Sequence, residues 1–296
     1  NPGIVTINGD MTVTANFTAE EYDLTVNVNP TGGGSVTVDP AGPYISGTTV
    51  TLTPVPSAGY SFTSWSGGLT GSANPGIVTI NGDMTVTANF TQNTYTIDAS
   101  AGLNGSIDPA GLTPVTHGSN QTFTFLPDEG YRISSVEVNG IEISNPGNSY
   151  TFENVQDDHT IEVFFTLKTY TIEASAGANG TISPSGPTTV YHGFDQTFTF
   201  SPAEGYEVSG ILVDGDPEPV ADSYTFNNVT ENHTISVSFA LKTYTIEASA
   251  GAGGSITPAG NVSVTHGSNQ TFTITENTGY EISDVLVDEV SVGTES

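Results

Sequence analysis

Tyr95-Thr96-Ile97-Asp98-Ala99-Ser100-Ala101-Gly102 decides the architecture, because the same octapeptide returns with Glu for Asp at 170–177 and 244–251. The steps are 75 and 74 residues, and a fixed period of this size marks a tandem array of small units. Tyr22-Asp-Leu-Thr-Val opens a more divergent copy. Gly-Tyr recurs at 59–60, 130–131, 205–206 and 279–280, and His-Gly at 117–118, 192–193 and 266–267, with the same steps of 75 and 74 from 130 and from 117 onward. Residues 1–18 are identical to residues 74–91. The chain therefore divides into 1–20, the closing hairpin of a preceding repeat; 21–93, 94–168 and 169–242, three whole repeats; and 243–296, a fourth that stops before its final hairpin.

Within a repeat the apolar period is two. Ile161, Val163 and Phe165 alternate with Thr160, Glu162 and Phe164, and Ile235, Val237 and Phe239 alternate with Thr234, Ser236 and Ser238. This is the pattern of half-buried strands, and it leaves no stretch for a helix. Turn pairs such as Asn104-Gly105 and Asn179-Gly180 supply residues that tolerate positive φ between strands. The sequence predicts an all-β protein, a linear array of small β-grasp-like or sandwich-like repeats of about 74 residues, each with five or six short strands.

Only four residues separate a closing strand from the next opening strand, 166–169 in one case and 240–243 in another, too few to act as a flexible coil. Lys168 and Lys242 lie in these joints, where each could bridge acidic flanks or serve only as a solubilising charge.

Composition narrows the functions available. The formal charge is -29, from 32 acidic residues against three basic ones, which sets the chain against nucleic acid and anionic membrane surfaces. Cysteine is absent, so no disulfide, thiol nucleophile or thiolate metal site is available. No run is long and apolar enough to insert into a membrane. Abundant Thr, Ser and Gly with three tryptic positions suits a secreted, cell-surface protein exposed to proteases.

The opening Tyr-Thr-Ile-x-Ala-Ser-Ala-Gly-x-x-Gly-Ser/Thr-Ile, the central Gly-Tyr with alternating apolar residues, and the final Thr-Ile/Val-x-Val/Ala-x-Phe resemble the divergent branch of the internalin B-repeat family. Gly59-Tyr60-Ser-Phe-Thr-Ser-Trp65-Ser-Gly stands nearest the family's usual wording. The resemblance covers nearly the whole chain and implies a small β-grasp-type module of bacterial and archaeal surface proteins. It implies a spacer, stalk or adhesive surface, with no catalytic residues. Where better-known members carry a helix across the sheet, this sequence has Gly, Pro, Ser and Thr.

Several residues are candidates for chemistry or for the core. Three histidines stand at equivalent positions, but Ser46 replaces His117 and Met84 replaces His159 in the first repeat. They therefore read as turn-stabilising, and no nucleophile setting accompanies them. Tyr60, Tyr131, Tyr206 and Tyr280 of the Gly-Tyr pairs are predicted core residues. Trp65 joins them, since its counterparts Val136, Ile211 and Val285 are apolar. Asp214, Asp216 and Glu218 offer alternate oxygen ligands for calcium, without the twelve-residue loop of an EF-hand. No other cofactor is implied. Of nine Asn-x-Ser/Thr sequons, Asn104, Asn120, Asn179 and Asn269 fall in or beside turns where glycosylation could reach them.

The expected function is that of an extracellular structural protein: a stalk, filament or adhesin shaft. Alternatives are a carbohydrate- or cell-binding module, with surface glycans as partners, and the spacer of a secreted hydrolase. Because the chain starts and stops within the pattern, the expected partners are neighbouring repeats or copies in a head-to-tail array. Either the array is continuous or a hairpin is donated between subunits.

Overall fold

The computed structural model describes residues 3–145 and 147–294, and among them every regular element is a β-strand. The chain forms two compact units, Asn1–Pro127 with Ile133–Phe165, and Asp128–Arg132 with Thr166–Ser296, which are described separately.

The repeat at 169–242 shows how the sequence pattern becomes a fold. Eight strands form in order: Thr169–Ala176, Gly180–Ser183, Gly186–Tyr191, Gln196–Pro202, Tyr206–Val213, Asp216–Glu218, Ser223–Phe226 and His233–Leu241. They sort into two sheets. The three-stranded sheet has Gln196–Pro202 between Gly180–Ser183 and Ser223–Phe226, all antiparallel. The five-stranded sheet has Thr169–Ala176 and His233–Leu241 at its centre, paired in parallel from Ile172↔His233 to Ala176↔Val237. A parallel pair needs a long crossover, and here the crossover is the rest of the repeat, including the second sheet. The first and last strands of one repeat are thus locked side by side. The repeat at 94–168 has the same eight strands and the same strand order in each sheet. The count exceeds the five or six expected because Ile141–Glu142 and Asp216–Glu218 are two- and three-residue edge strands with no alternation to read.

The core lies between the sheets. In Gln196–Pro202, Phe198 and Phe200 point inward and are buried while Thr197 and Thr199 face outward. They meet Ile172, Ala174, Ile211, Val213, Phe226, Ile235 and Val237 in one cluster. The Phe198 and Phe226 rings cross edge to face at 6.0 Å, as Phe123 and Phe152 do at 5.9 Å in the preceding repeat. No polar or charged side chain is buried among the described residues, so these cores rest on apolar packing.

A glycine decides how closely the sheets approach. The glycine that starts the strand after the opening one, Gly34, Gly105 or Gly180, lies under the aromatic ring two residues before the end of the closing strand, Phe90, Phe165 or Phe239. A β-carbon there would overlap the ring. The spacing Gly-x-x-Gly followed by a strand with x-Phe near its end is therefore one steric unit.

The expectation that the Gly-Tyr tyrosines are core residues is corrected. Tyr60, Tyr131 and Tyr206 are only half-buried, and Tyr280 is 61% exposed. The first Gly-Tyr strands lie beside a closing strand, Tyr60↔Gln92 and Tyr206↔Leu241, whereas residues 280–284 belong to no strand among the described residues. The core load falls on Phe instead. The segment 1–20, expected to be the closing hairpin of a preceding repeat, contains no strand in its described part, 3–20. The identical sequence in the first repeat forms Gly76–Ile80 and Met84–Gln92. There Gly76–Ile80 pairs with Thr48–Pro56, and Met84–Gln92 pairs with Leu24–Asn29 and Tyr60–Gly67. An isolated hairpin is marginal in water, so the sheet it joins determines whether the segment is a strand.

Truncating Phe198 to Ala should lower the stability of the second unit by about 3–5 kcal/mol, the usual cost of emptying a fully buried aromatic site. Tyr206→Ala should cost clearly less. Denaturant unfolding of the two variants checks the ranking, and equal losses would show that the tyrosine, not the phenylalanine, carries the core.

Candidate functional site: the glycine and histidine of the joints

The two motifs that keep the repeat step meet in space. Each Gly-Tyr pair closes a four-residue turn in which the tyrosine N–H donates to the carbonyl three residues back: Tyr60 to Ser57, Tyr131 to Asp128 and Tyr206 to Ala203, each at 3.0 Å. The glycine is the third residue, with φ of +77° at Gly59 and +81° at Gly130 and Gly205, the left-handed region open to glycine.

In the first unit, the Asn93 N–H donates to the Gly59 carbonyl at 2.8 Å, and the His117 N–H donates to the Asn93 carbonyl at 2.9 Å. In the second unit the pattern occurs twice. Lys168 donates to Gly130 at 2.8 Å and His192 to Lys168 at 2.9 Å; Lys242 donates to Gly205 and His266 to Lys242, both at 2.8 Å. The imidazoles of His117, His192 and His266 cover Gly59, Gly130 and Gly205 so closely that a β-carbon on the glycine would overlap the ring. Each imidazole in turn rests against the tyrosine opening its own repeat. The ring centroids of Tyr95 and His117 are 5.9 Å apart at 47°, those of Tyr170 and His192 5.9 Å at 46°, and those of Tyr244 and His266 6.0 Å at 47°. The Tyr95 and Tyr170 hydroxyls lie 3.4 and 3.3 Å from Nδ1 of His117 and His192.

These histidines thus fasten joints, a role that reading them as residues of their own turns missed. The signal was present in the shared step of His-Gly and Gly-Tyr, but only the fold places a histidine over the glycine of another repeat. Lys168 and Lys242 act through their backbone, and Asn93 makes the same two bonds without a charge. No carboxylate lies within ion-pair distance of either lysine among the described residues.

The other two histidines sit at the start of closing strands. His159 stacks on Phe152 at 4.9 Å and 28°, with Nδ1 3.1 Å from the Asn139 amide nitrogen. His233 packs on Phe226 at 4.8 Å, and its Nδ1 lies 2.7 Å from Asp214 Oδ2. Asp214 Oδ1 accepts a 2.7 Å bond from the Thr234 N–H. Burial would raise the Asp214 carboxyl, but the bonds from His233 and Thr234 outweigh it and hold the group below its ordinary 3.8.

Asp214 is therefore committed to His233 and Thr234, while Asp216 and Glu218 lie on an edge strand opposite Val213 and Ile211. The three form no ligand set, and no group of three or more His, Cys, Asp or Glu fit to hold a metal occurs among the described residues. Asp214 sits in a turn, while Asp216 and Glu218 run along the short strand after it. Trp65 is 2% exposed, packs on Phe62 at 5.0 Å and donates from Nε1 to the Ala73 carbonyl at 2.8 Å. Asn104, Asn120, Asn179 and Asn269 are exposed, the first and third at left-handed turn positions, and Asn120 accepts a 2.8 Å bond from the Asn154 N–H. Depressions in the second unit, one lined by Glu173, Leu212, Gly215 and Thr234, are shallow and open.

Such a chain is a tandem-repeat, all-β protein whose repeated chemistry lies in its joints. It belongs to the divergent InlB B-repeat domain family, which matches residues 24–94, 95–168, 170–243 and 244–295. The family is in general non-catalytic and is typically found on surface or extracellular proteins. No curated protein matches the chain. Among solved structures, the Bacillus anthracis TIE protein is similar at 10% identity and a TM-score of 0.37, over 75% of this chain and 51% of that one. The chain thus spans about half that protein's length. Two further likenesses are the N-terminal four Ig domains of Dscam1 isoform 4.44 and the I9–I11 tandem of titin. The first is at 8% identity and TM-score 0.14, covering 76% of this chain and 73% of that one. The second is at 9% and 0.11, covering 75% and 97%.

Gly205→Ala should open its joint, because the new methyl both strains a positive φ and displaces His266; limited trypsin digestion should then cut after Lys242 several-fold faster than in the parent. Adding His266→Ala should recover only the steric part. An unchanged cleavage rate in the single variant would show that the glycine and histidine do not hold the joint. A second expectation concerns pH. The folded Asp214 carboxyl lies below its unfolded value, so its stabilisation is complete above the ordinary carboxylate range and is lost as pH falls through the folded value. Asp214→Asn should therefore lower stability at neutral pH by under about 1 kcal/mol, given the exposure of the pair. In parallel melts that difference should shrink as pH falls below the ordinary carboxylate value and on through the lower, folded one.

Proposed function

We propose that this chain is a shaft segment of an extracellular surface protein, serving through reach and exposed surface, not through catalysis. The observation that carries the reading is the recurrence of one joint: the same two backbone bonds and the same imidazole over glycine, in three places, with asparagine at one joint and lysine at the other two. A protein that repeats its fastening while varying its surface gains length by adding units, each depending on its neighbours. The setting supports this, since the family is typical of surface proteins, disulfides are absent, and lysine or arginine occurs at three positions. Asn104 and Asn179 are the sequons best placed to carry glycans, and the neighbours of each repeat are further repeats of the same kind, in a head-to-tail array.

Small-angle scattering of the 296-residue chain tests the proposal. A compact protein of this length would have a radius of gyration of about 19 Å. A shaft should give a value well above that, with a cross-section the width of one repeat. A radius near the compact value would overturn the reading.

A further inference from the structure

Among the three His-Gly turns, one breaks the pattern at the surface. Residues 116–120 and 265–269 both read Thr-His-Gly-Ser-Asn, whereas 191–195 read Tyr-His-Gly-Phe-Asp. In the first two turns the flanking hydroxyls bond each other, Thr116 to Ser119 at 2.7 Å and Thr265 to Ser268 at 2.8 Å. In the third, Tyr191 and Phe194 replace that pair with two rings 6.1 Å apart at 60°. The rings are 54% and 59% exposed, so the change adds little to the core. The Asn-to-Asp change places a carboxylate on the residue next to Phe194.

The turn is nonetheless held firmly. Phe194 N–H donates to the Tyr191 carbonyl at 3.1 Å, Gly193 N–H to the Val229 carbonyl at 2.8 Å, and Val229 N–H to the Phe194 carbonyl at 3.0 Å. Val229 is itself 1% exposed. Asp195 Oδ1 accepts the Asn228 N–H at 2.7 Å, as Asn120 does from Asn154, so the carboxylate keeps the structural bond of the amide and adds a charge. All three changes act in one direction: two exposed π faces and a fixed negative charge, on a chain whose net charge is -29. Aromatic faces and carboxylates share one preferred ligand, a cation.

We infer that the turn at 191–195 is a docking platform for cationic side chains, arginine or lysine, of a partner protein. The rings supply cation–π faces, Asp195 supplies the opposite charge, and the field of the acidic chain draws the partner in. This goes beyond the shaft reading and does not depend on it. Charge complementarity separates the cation from a neutral sugar, which could hydrogen-bond Asp195 but would gain nothing from the surrounding field.

The other repeats provide the controls, because Thr and Ser at the ring positions and Asn at 195 are compatible with the same turn. The full chain is titrated at about 0.15 M salt, where distant surface charges are screened, with a peptide of alternating arginine and glycine. The double variant Tyr191→Thr/Phe194→Ser retains every charge and should melt as the parent does, yet bind the peptide roughly fivefold to thirtyfold more weakly, as expected for two exposed cation–π contacts. Asp195→Asn should weaken binding and flatten its salt dependence. In the parent, the peptide should shift the ring resonances of Tyr191 and Phe194. Equal affinity of parent and double variant would overturn the inference, because general attraction to an acidic surface would then account for all binding. Binding of neutral oligosaccharides at this turn without binding of the peptide would also overturn it, in favour of a sugar.

Discussion

The parallel pairing of opening and closing strands is the constraint on which each complete repeat depends. It joins residues at the two ends of the repeat, Ile97 to His159 and Ile172 to His233, with the whole repeat as the connection between them. Such long-range pairing costs loop entropy that only a completed core offsets. The segment at 3–18 and its identical twin at 76–91 show the consequence within one molecule. With Leu24–Asn29 on one side and Tyr60–Gly67 on the other, Met84–Gln92 is a strand with Val86 and Ala88 fully buried. The matching residues at 11–18 form no strand, and Phe17 is 93% exposed. Local propensity is the same in both, so tertiary context makes the difference.

A second constraint is steric and explains two recurring glycine positions. Gly105 yields space to Phe165 inside a repeat, and Gly59 yields space to His117 at a joint. Neither needs a special partner chemistry; each needs the missing β-carbon. The joint glycine must also hold a positive φ, so a substitution meets strain and overlap together. The imidazole suits the opposing position because one side covers glycine while Nδ1 stays near a tyrosine hydroxyl. Stability is thereby divided between cores that contain no buried polar side chain and joints made largely of backbone bonds.

This division sets what could be read from sequence. The period, the strands and the absence of helix were legible because alternation such as Thr197-Phe198-Thr199-Phe200 is local. The burial of Trp65 followed from its apolar counterparts. The placement of the Gly-Tyr tyrosines did not, because their half-burial depends on the closing strand beside them, and Tyr280 has none among the described residues. The joint was illegible for a related reason: Gly130 and His192 are each unremarkable in their own turns, and only packing shows that one covers the other. The Asp214 triplet misled because alternate acids suggest a metal loop, whereas here a positive φ at Asp214 turns its carboxylate toward His233.

Repeats within one chain also serve as substitution experiments already performed. Asn93, Lys168 and Lys242 occupy one joint position and make the same backbone bonds, so that side chain is free to vary. Asn139 and Asp214 both hold a histidine and the following strand from a left-handed position, one without charge and one with it. Thr116 with Ser119, and Tyr191 with Phe194, cap equivalent turns with opposite surface chemistry. Where the repeats agree, the residues answer to packing; where they differ at exposed positions, packing exerts no demand. An array whose joints and cores are fixed can therefore change its surface one turn at a time without disturbing the fold. Selection for binding can act at those exposed turns, and among the three His-Gly turns the aromatic, acidic one at 191–195 is the one that differs.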